Sequence, residues 1–220
     1  MRATLEGPKL GEGIYTFPEA ARILRHAGNH VTSGRLRYWM NTGLTPASYR
    51  TDDGPILTFE DLISLEVVRR LRREGATLQS IRLVESVLRR ECSFDRPFAY
   101  QVFFTDGASV WAELVGEVGP VVIELSGKRR NQYAWKDAIA TFAKDIRFDK
   151  PTGHATQWSL TPWVEIDPQV QFGAPVVAGT RIPVKTIVAN LEAGSPAEVA
   201  DWYGLTIAQV EGARDYVALN

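Results

Sequence analysis

The chain has 220 residues, 45% of them hydrophobic and 23% charged, with a formal net charge of −1. That balance excludes a disordered chain, and no apolar run approaches the ~20 residues needed to span a membrane. The single cysteine, Cys92, excludes an internal disulfide and a thiolate zinc site.

The opening MRATLEGPKLGEG has no apolar signal core, which predicts a cytoplasmic protein with a flexible start over residues 1–13. Charge is uneven along the chain. Residues 1–92 carry 14 Lys and Arg against 11 Asp and Glu, whereas 93–220 carry 11 against 15. A basic front and an acidic rear suggest two separate tasks.

Thr16-Phe17-Pro18-Glu19 is a capping box with Pro in the first turn. It opens a helix over about 17–26 that sets Phe17, Ala20, Ala21 and Leu24 on one face. A polar connector from His26 to Thr32 leads into a second helix, about 33–41, with the sequence SGRLRYWMN. A loop from Pro46 to Pro55 follows, with a turn signal at Asp53-Gly54. Thr58 then caps a third helix, about 59–74, and Thr77 caps a fourth, about 78–91, whose stripe is Ile81, Val84 and Leu88.

The order over 14–92 is therefore helix, turn, helix, wing-like loop, helix, helix. Arg35, Arg37, Tyr38 and Trp39 crowd the second helix. Arg pairs with phosphate or with a guanine edge, and aromatic rings pack against sugars. Tyr38 or Trp39 could equally belong to the core. The Tyr15-Thr16 opening, Ala20-Ala21, Leu36-Arg37-Tyr38-Trp39, Gly43-Leu44, Phe59-x-Asp61-Leu62 and Gly75-x-Thr77-Leu78-x-x-Ile81 together resemble the MerR-type winged helix–turn–helix. The resemblance implies a DNA-reading second helix in the major groove. On it, Ser33, Arg35, Arg37, Tyr38, Trp39 and Arg50 of the loop form the candidate DNA-contacting set. MerR regulators continue into a long dimerising helix with a sensing end. Here Pro97 interrupts that course, and no Cys cluster exists to sense metal.

Residues 93–162 read as a small α+β unit for linkage or dimerisation. FAYQVFFTDGASVWAELV alternates around Asp106-Gly107, a hairpin signal, and PVVIEL, 120–125, reads as a third strand. Lys128-Arg129-Arg130 is a solvated turn, or a contact to nucleic acid or to an acidic partner. A helix over about 132–145 buries Trp135, Ala138, Ile139 and Phe142, and a strand at about 156–160 rejoins the sheet. His154 stands isolated, and His26 and His30 lie on the polar connector, so the histidines form no zinc set. Neither cofactor nor metal is expected, and the absence of a nucleophile–base pair or phosphate loop argues against an enzyme.

The last part, 163–220, predicts three short helices. Pro183 starts the first, with Val184, Ile187, Val188 and Leu191 inward. Ser195-Pro196-Ala197-Glu198 and Thr206-Ile207-Ala208-Gln209 are capping boxes for the others. Val210, Ala213, Tyr216 and Val217 face in on the last helix, which also carries Gln209, Glu211, Arg214 and Asp215. Two acids to one base is a poor phosphate surface, so a protein-facing role fits better. The expected class is α+β, mainly helical: a winged helix–turn–helix, a small antiparallel sheet with one helix, and a trihelical module.

The motif Gly179-Thr180-Arg181-Ile182-Pro183-Val184, followed by Gly194-Ser195-Pro196-x-Glu198-Val199-Ala200 and Tyr203-Gly204-Leu205-Thr206-x-x-Gln209-Val210, closely resembles the bacterial domain of uncharacterised function known by its GTRIPV signature. Together with the MerR-like head, it resembles the VapB-type antitoxins of VapBC toxin–antitoxin pairs. The resemblance implies a PIN-domain ribonuclease toxin as partner, operator DNA as a second partner, repression of the shared operon, and a dimer or toxin–antitoxin hetero-oligomer. Antitoxins of this kind present an Arg to the toxin's carboxylates, for which Arg147, Arg181 and Arg214 are candidates. For Arg181 the expected role is a staple that ties the turn to backbone carbonyls or to Asp167. A ligand-responsive regulator without a toxin is the competing reading, with residues 93–160 as its sensor.

Overall fold

A computed structural model describes residues 9, 11–26, 31–42, 48–51, 54–92, 95–105 and 139–219. The head begins with α1 (Phe17–His26). Its cap forms as the sequence dictates: the Glu19 carboxylate accepts from the Thr16 amide at 2.9 Å and from the Thr16 hydroxyl at 2.8 Å. Helix α2 (Ser33–Asn41) is capped by the Thr32 hydroxyl, which accepts from the Arg35 amide at 3.2 Å. Strands β1 (Tyr49–Thr51) and β2 (Gly54–Ile56) pair antiparallel as a wing, with Tyr49 opposite Ile56. Helices α3 (Phe59–Arg73) and α4 (Leu78–Cys92) complete the head. Leu24, Leu36, Leu57, Leu62, Leu65 and Ile81 are fully buried at its centre. Each such side chain stabilises by about 1.5–3 kcal/mol, so this core, more than helix propensity, sets the helices' arrangement.

The expected strand at 98–105 is not formed. Pro97–Ala99 is a 3₁₀ turn and α5 (Gln101–Thr105) is a short helix. A strand would send Phe103 and Phe104 to opposite faces. Instead both are buried, with rings edge-to-face at 5.2 Å, and Phe104 also meets Phe142 and Phe148. Burial of the whole aromatic cluster therefore overrides the local alternation. The hairpin at Asp106-Gly107, the strand at 120–125, Lys128-Arg129-Arg130, Trp135 and Ala138 lie outside the described residues. Of the helix expected over 132–145, residues 139–143 are helical, with Ile139 and Phe142 buried.

A four-stranded antiparallel sheet follows in the order β3 (Ile146–Phe148), β4 (Ala155–Thr161), β5 (Val164–Ile166), β6 (Val176–Val177). Trp158 sits opposite Ile146 on one side and Ile166 on the other. The predicted strand at 156–160 is thus β4. Its partners are 146–148, which the sequence pattern did not flag, and the strand that enters the tail.

The tail holds α6 (Val184–Asn190), α7 (Pro196–Tyr203) and α8 (Ile207–Ala218). Both predicted capping boxes are present, and Gly204 ends α7 in the left-handed conformation at φ 64°. Val184, Ile187, Val199, Val210, Ala213 and Tyr216 pack with Val164 and Val177 of the sheet. Gly212 is required by a close approach, because a Cβ there would fall 2.3 Å from the Trp163 ring. Two details differ from expectation. Pro183 caps α6 from just outside it, and Val217 is 37% exposed. Val210, Ala213 and Tyr216 already fill the inward stripe of α8, and position 217 turns about 100° past it.

Residues 12–15 strap head to tail. On one side, Tyr15 and Leu57 exchange backbone hydrogen bonds at 2.9 and 3.0 Å. On the other, the Ile14 amide donates to the Phe172 carbonyl at 3.1 Å, and the Tyr15 hydroxyl donates to the Gly173 carbonyl at 3.0 Å. Tyr15 is buried, which raises its pKa and keeps the phenol a donor. Tyr15→Phe keeps the ring and leaves the Gly173 carbonyl unpaired. It is expected to cost about 1 kcal/mol, read as a lower urea midpoint with an unchanged far-UV spectrum.

Candidate nucleic-acid interface and partner surface

Helix α2 divides cleanly. Leu36, Trp39 and Met40 are buried at helical spacing, which leaves Gly34, Arg35, Arg37, Tyr38 and Asn41 outward. Trp39, 5% exposed, is therefore a core side chain rather than one free to meet DNA. Tyr38, 55% exposed, stands clear of the fold. The Arg37 guanidinium lies 5.3 Å from the centre of the Phe17 ring, so the first helix positions it by a cation–π contact. Ser33 is half-buried in the first turn of α2, and Arg50 occupies β1 opposite Pro55 of β2.

A groove of about 540 Å³ runs from Arg35 and Tyr38 of α2 to Arg69, Arg72 and Arg73 of α3, with Leu78 beyond. Its arginines are not equivalent. Arg69 is buried and bonds both oxygens of buried Glu66, at 2.6 and 2.7 Å. Arg70 joins the same carboxylate at 2.6 Å and lies 4.4 Å over the Phe142 ring. Those two hold the fold. Arg72 and Arg73 are exposed, although Arg72 reaches the Ala76 carbonyl and Arg73 pairs with Glu74 at 3.0 Å. Arg35 is exposed, and its guanidinium forms no hydrogen bond or ion pair among the described residues.

The wing is fixed by two carboxylates: Tyr49 of β1 donates to Glu12 at 2.6 Å, and Asp61 holds its start. Asp61 has no exposed surface. It caps α3 by accepting from the Thr58 amide at 3.0 Å, holds the Ser48 amide at 3.1 Å where the wing starts, and pairs with Arg96 at 2.7 Å. Arg96 closes the network by donating to the Ser48 hydroxyl at 3.0 Å. The Thr58 cap was legible in the sequence; the role of Asp61 in it was not. Nor was the Arg96 pairing, 35 residues distant.

His154 is not isolated, as its sequence context implied. Its ring meets the Tyr100 hydroxyl at 2.9 Å and Glu60 in the first turn of α3, joining the sheet to the head. Among the described residues, no three His, Cys, Asp or Glu side chains converge as a metal site, and no helix is long and apolar enough to cross a membrane.

In the tail, the Gly179–Ile182 turn is stapled without the Arg181 side chain. Thr180 Oγ1 donates to the Val177 carbonyl at 2.8 Å and accepts from the Ile182 amide at 3.1 Å. Glu165 accepts from the Gly179 amide at 3.0 Å, and Gln171 donates to the Arg181 carbonyl at 3.2 Å. With the turn satisfied, the exposed Arg181 guanidinium has no hydrogen bond among the described residues. Arg147 is exposed on β3, the far edge of the sheet, and is equally unengaged among those residues. Arg214 pairs with Asp215 at 3.0 Å on the exposed outer face of α8.

Comparison with known proteins follows the same division. Residues 15–87 match the MerR HTH family of regulatory proteins, and residues 164–217 match a family of unknown function, DUF433. A Mycobacterium tuberculosis protein named "Putative antitoxin VapB45" is 30% identical over 93% of this chain and 94% of its own length. An uncharacterized HTH-type transcriptional regulator of the same organism is 33% identical over 44% of this chain, a stretch that spans 42% of that regulator. The crystal structure of Rv2018 from Mycobacterium tuberculosis shares the fold, with a TM-score of 0.76 at 23% identity over 94% of this chain and 100% of that one.

Asp61→Ala removes the cap and strands Arg96. It is expected to destabilise the protein by about 3 kcal/mol or more, measured as a drop in the urea midpoint. Glu74→Ala, at an exposed pair, is expected to stay within about 0.5 kcal/mol of the parent.

Proposed function

Because the chain belongs to the family of the Mycobacterium tuberculosis VapB45 antitoxin, we propose that it is a non-catalytic antitoxin with two working ends. The head binds operator DNA upstream of its own gene and represses it. The tail binds and neutralises a PIN-domain ribonuclease encoded nearby. The observation that carries this reading is the contrast between two sets of arginines. Those inside the fold are spent on buried Glu66 and Asp61, while Arg35 and Arg37 on α2 and Arg181 on the tail turn outward.

At the head, α2 enters the major groove with Arg35, Arg37 and Tyr38 on its outer face. Arg72 and Arg73, across the groove from Arg35, follow a flanking phosphate strand. Arg50 on the wing contacts the backbone beside it. Paired half-sites would be read by two copies, so the DNA-bound form is a dimer or a larger antitoxin–toxin assembly.

At the tail, the acidic outer face of α8 disfavours DNA, and Arg214 is already paired with Asp215. Arg181 is the better candidate for the toxin. A PIN nuclease gathers carboxylates for its metal, and a guanidinium meets such a cluster with two parallel charge-assisted hydrogen bonds. Holding the turn by Thr180, Glu165 and Gln171 presents that guanidinium at little cost in chain ordering.

Fluorescence anisotropy with the upstream DNA and co-purification with the neighbouring nuclease test both ends together. Arg37→Ala and Arg35→Ala are expected to weaken DNA binding about tenfold each, and Arg35→Ala to lower the salt slope by about one. Both variants should keep the toxin bound. Arg181→Ala is expected to do the reverse. Equal loss of both activities in a folded variant contradicts the division.

A further inference from the structure

Between α1 and the tail lies a second groove, of about 420 Å³ and mostly apolar. Ile14, Tyr15 and Ile23 form one wall; Phe172, Pro175 and Val217 form the other. Its size and its place between two units are typical of small-molecule sites. Three large hydrophobic side chains with substantial exposure converge here: Ile14 at 44%, Phe172 at 64% and Val217 at 37%.

The wall carrying Phe172 is rigid and strained. Gln171 and Phe172 have φ of 50° and 55°, left-handed values that L side chains rarely adopt. Packing of the Phe172 ring does not hold the backbone there, since the side chain is 64% exposed. The loop is nevertheless pinned at three points. Gln171 donates to the Arg181 carbonyl, the Phe172 carbonyl accepts from Ile14, and the Gly173 carbonyl accepts from Tyr15. A Cβ on Gly173 would sit 2.1 Å from the Tyr15 hydroxyl, so the glycine permits the close approach that fixes the loop. Residues held in strained backbone conformations cluster at active sites and ligand clamps.

The polar lining has a sign. Arg22 of α1 and Lys185 of α6 reach the groove from opposite walls, and neither side chain donates a hydrogen bond among the described residues. Among the described residues, Glu19 is the one acid lining it, and its carboxylate is committed to the Thr16 cap. Burial opposes its ionisation, but the Thr16 amide and hydroxyl, with Arg22 and Lys185 beyond, hold the carboxyl below its usual range. The groove thus offers an apolar floor, one exposed aromatic face and two cations whose side chains make no hydrogen bond among the described residues.

We propose that this groove is a binding site for a small aromatic carboxylate, the ring stacking on Phe172 and the carboxylate meeting Arg22 and Lys185. The site is distinct from the DNA-facing surface of α2 and from Arg181, and it goes beyond the antitoxin reading. It also lies outside the segment 93–160 from which a ligand-responsive regulator was expected to sense. Both walls are needed to form it, so an occupant binds only the joined head and tail and stabilises that arrangement by mass action.

The test uses the full chain, with 2-naphthoate as probe and 2-naphthylmethanol as its neutral twin. Calorimetry is expected to show saturable 2-naphthoate binding, at least tenfold tighter than the neutral twin, with a rise in melting temperature. Lys185→Met should weaken the acid to the level of the alcohol. Phe172→Gly, which relieves the left-handed strain and so preserves the fold, should abolish both. Absence of binding at millimolar probe overturns the proposal, as does binding unaffected by either variant. If 2-naphthoate fails to bind and the neighbouring nuclease instead loses affinity for Phe172→Gly, the groove is a protein-docking surface and the small-anion assignment is wrong.

Discussion

The structure depends on the strap at residues 12–15. Head and tail have separate cores, one around Leu24 and Leu62 and the other around Val184 and Val210. Tyr15 touches both ends of the problem: its backbone pairs with Leu57 and its hydroxyl reaches the Gly173 carbonyl. A buried hydroxyl–carbonyl bond is worth only about 1 kcal/mol net. Its geometric effect adds to that of the sheet, whose strands carry residues of both cores. The groove, the strained Phe172 loop and the Arg22–Lys185 pair of cations all lie beside the closed strap.

Within the head, the same logic recurs at Asp61 and Glu66. Each is a buried carboxylate that gathers partners, Asp61 from several elements and Glu66 from two arginines of its own helix. Asp61 ties the wing to α3, and Glu66 draws Arg69 and Arg70 inward. Burying such charges is costly unless every one is paired, so the networks act as positional constraints more than as sources of stability. Their consequence is selective: Arg69, Arg70 and Arg96 are held inside, while the arginines left outside include those of α2, the end of α3 and the tail turn. A surface of that kind suits phosphate at one end and carboxylate at the other.

Local signals made much of this legible in the sequence. Thr16–Glu19, Thr58, Ser195–Glu198 and Thr206–Gln209 announced four helix starts, and each forms. The tail core followed from apolar spacing in α6 and α8. What the sequence concealed was non-local. Asp61 and Arg96 are 35 residues apart, and Tyr15 and Gly173 are 158 apart. Aromatic alternation at 98–104 mimicked a strand because tertiary clustering, absent from the local pattern, decides where those rings go. On α2, the spacing of Leu36, Trp39 and Met40 was itself the sign that Trp39 turns inward. Arg181 was expected to staple its own turn, yet Thr180 and Glu165 already satisfy the amides it would have served, leaving the guanidinium to face solvent.

The central claim is that one chain binds DNA at its head and a nuclease at its tail through different surfaces. Hydrogen–deuterium exchange of the full chain with each partner in turn addresses it most directly. Operator DNA is expected to protect 31–42 and 48–56 and to leave 178–190 unchanged. The neighbouring nuclease is expected to protect 178–190 and to leave α2 unchanged. Protection of α2 by the nuclease, or of the tail turn by DNA, would contradict the account.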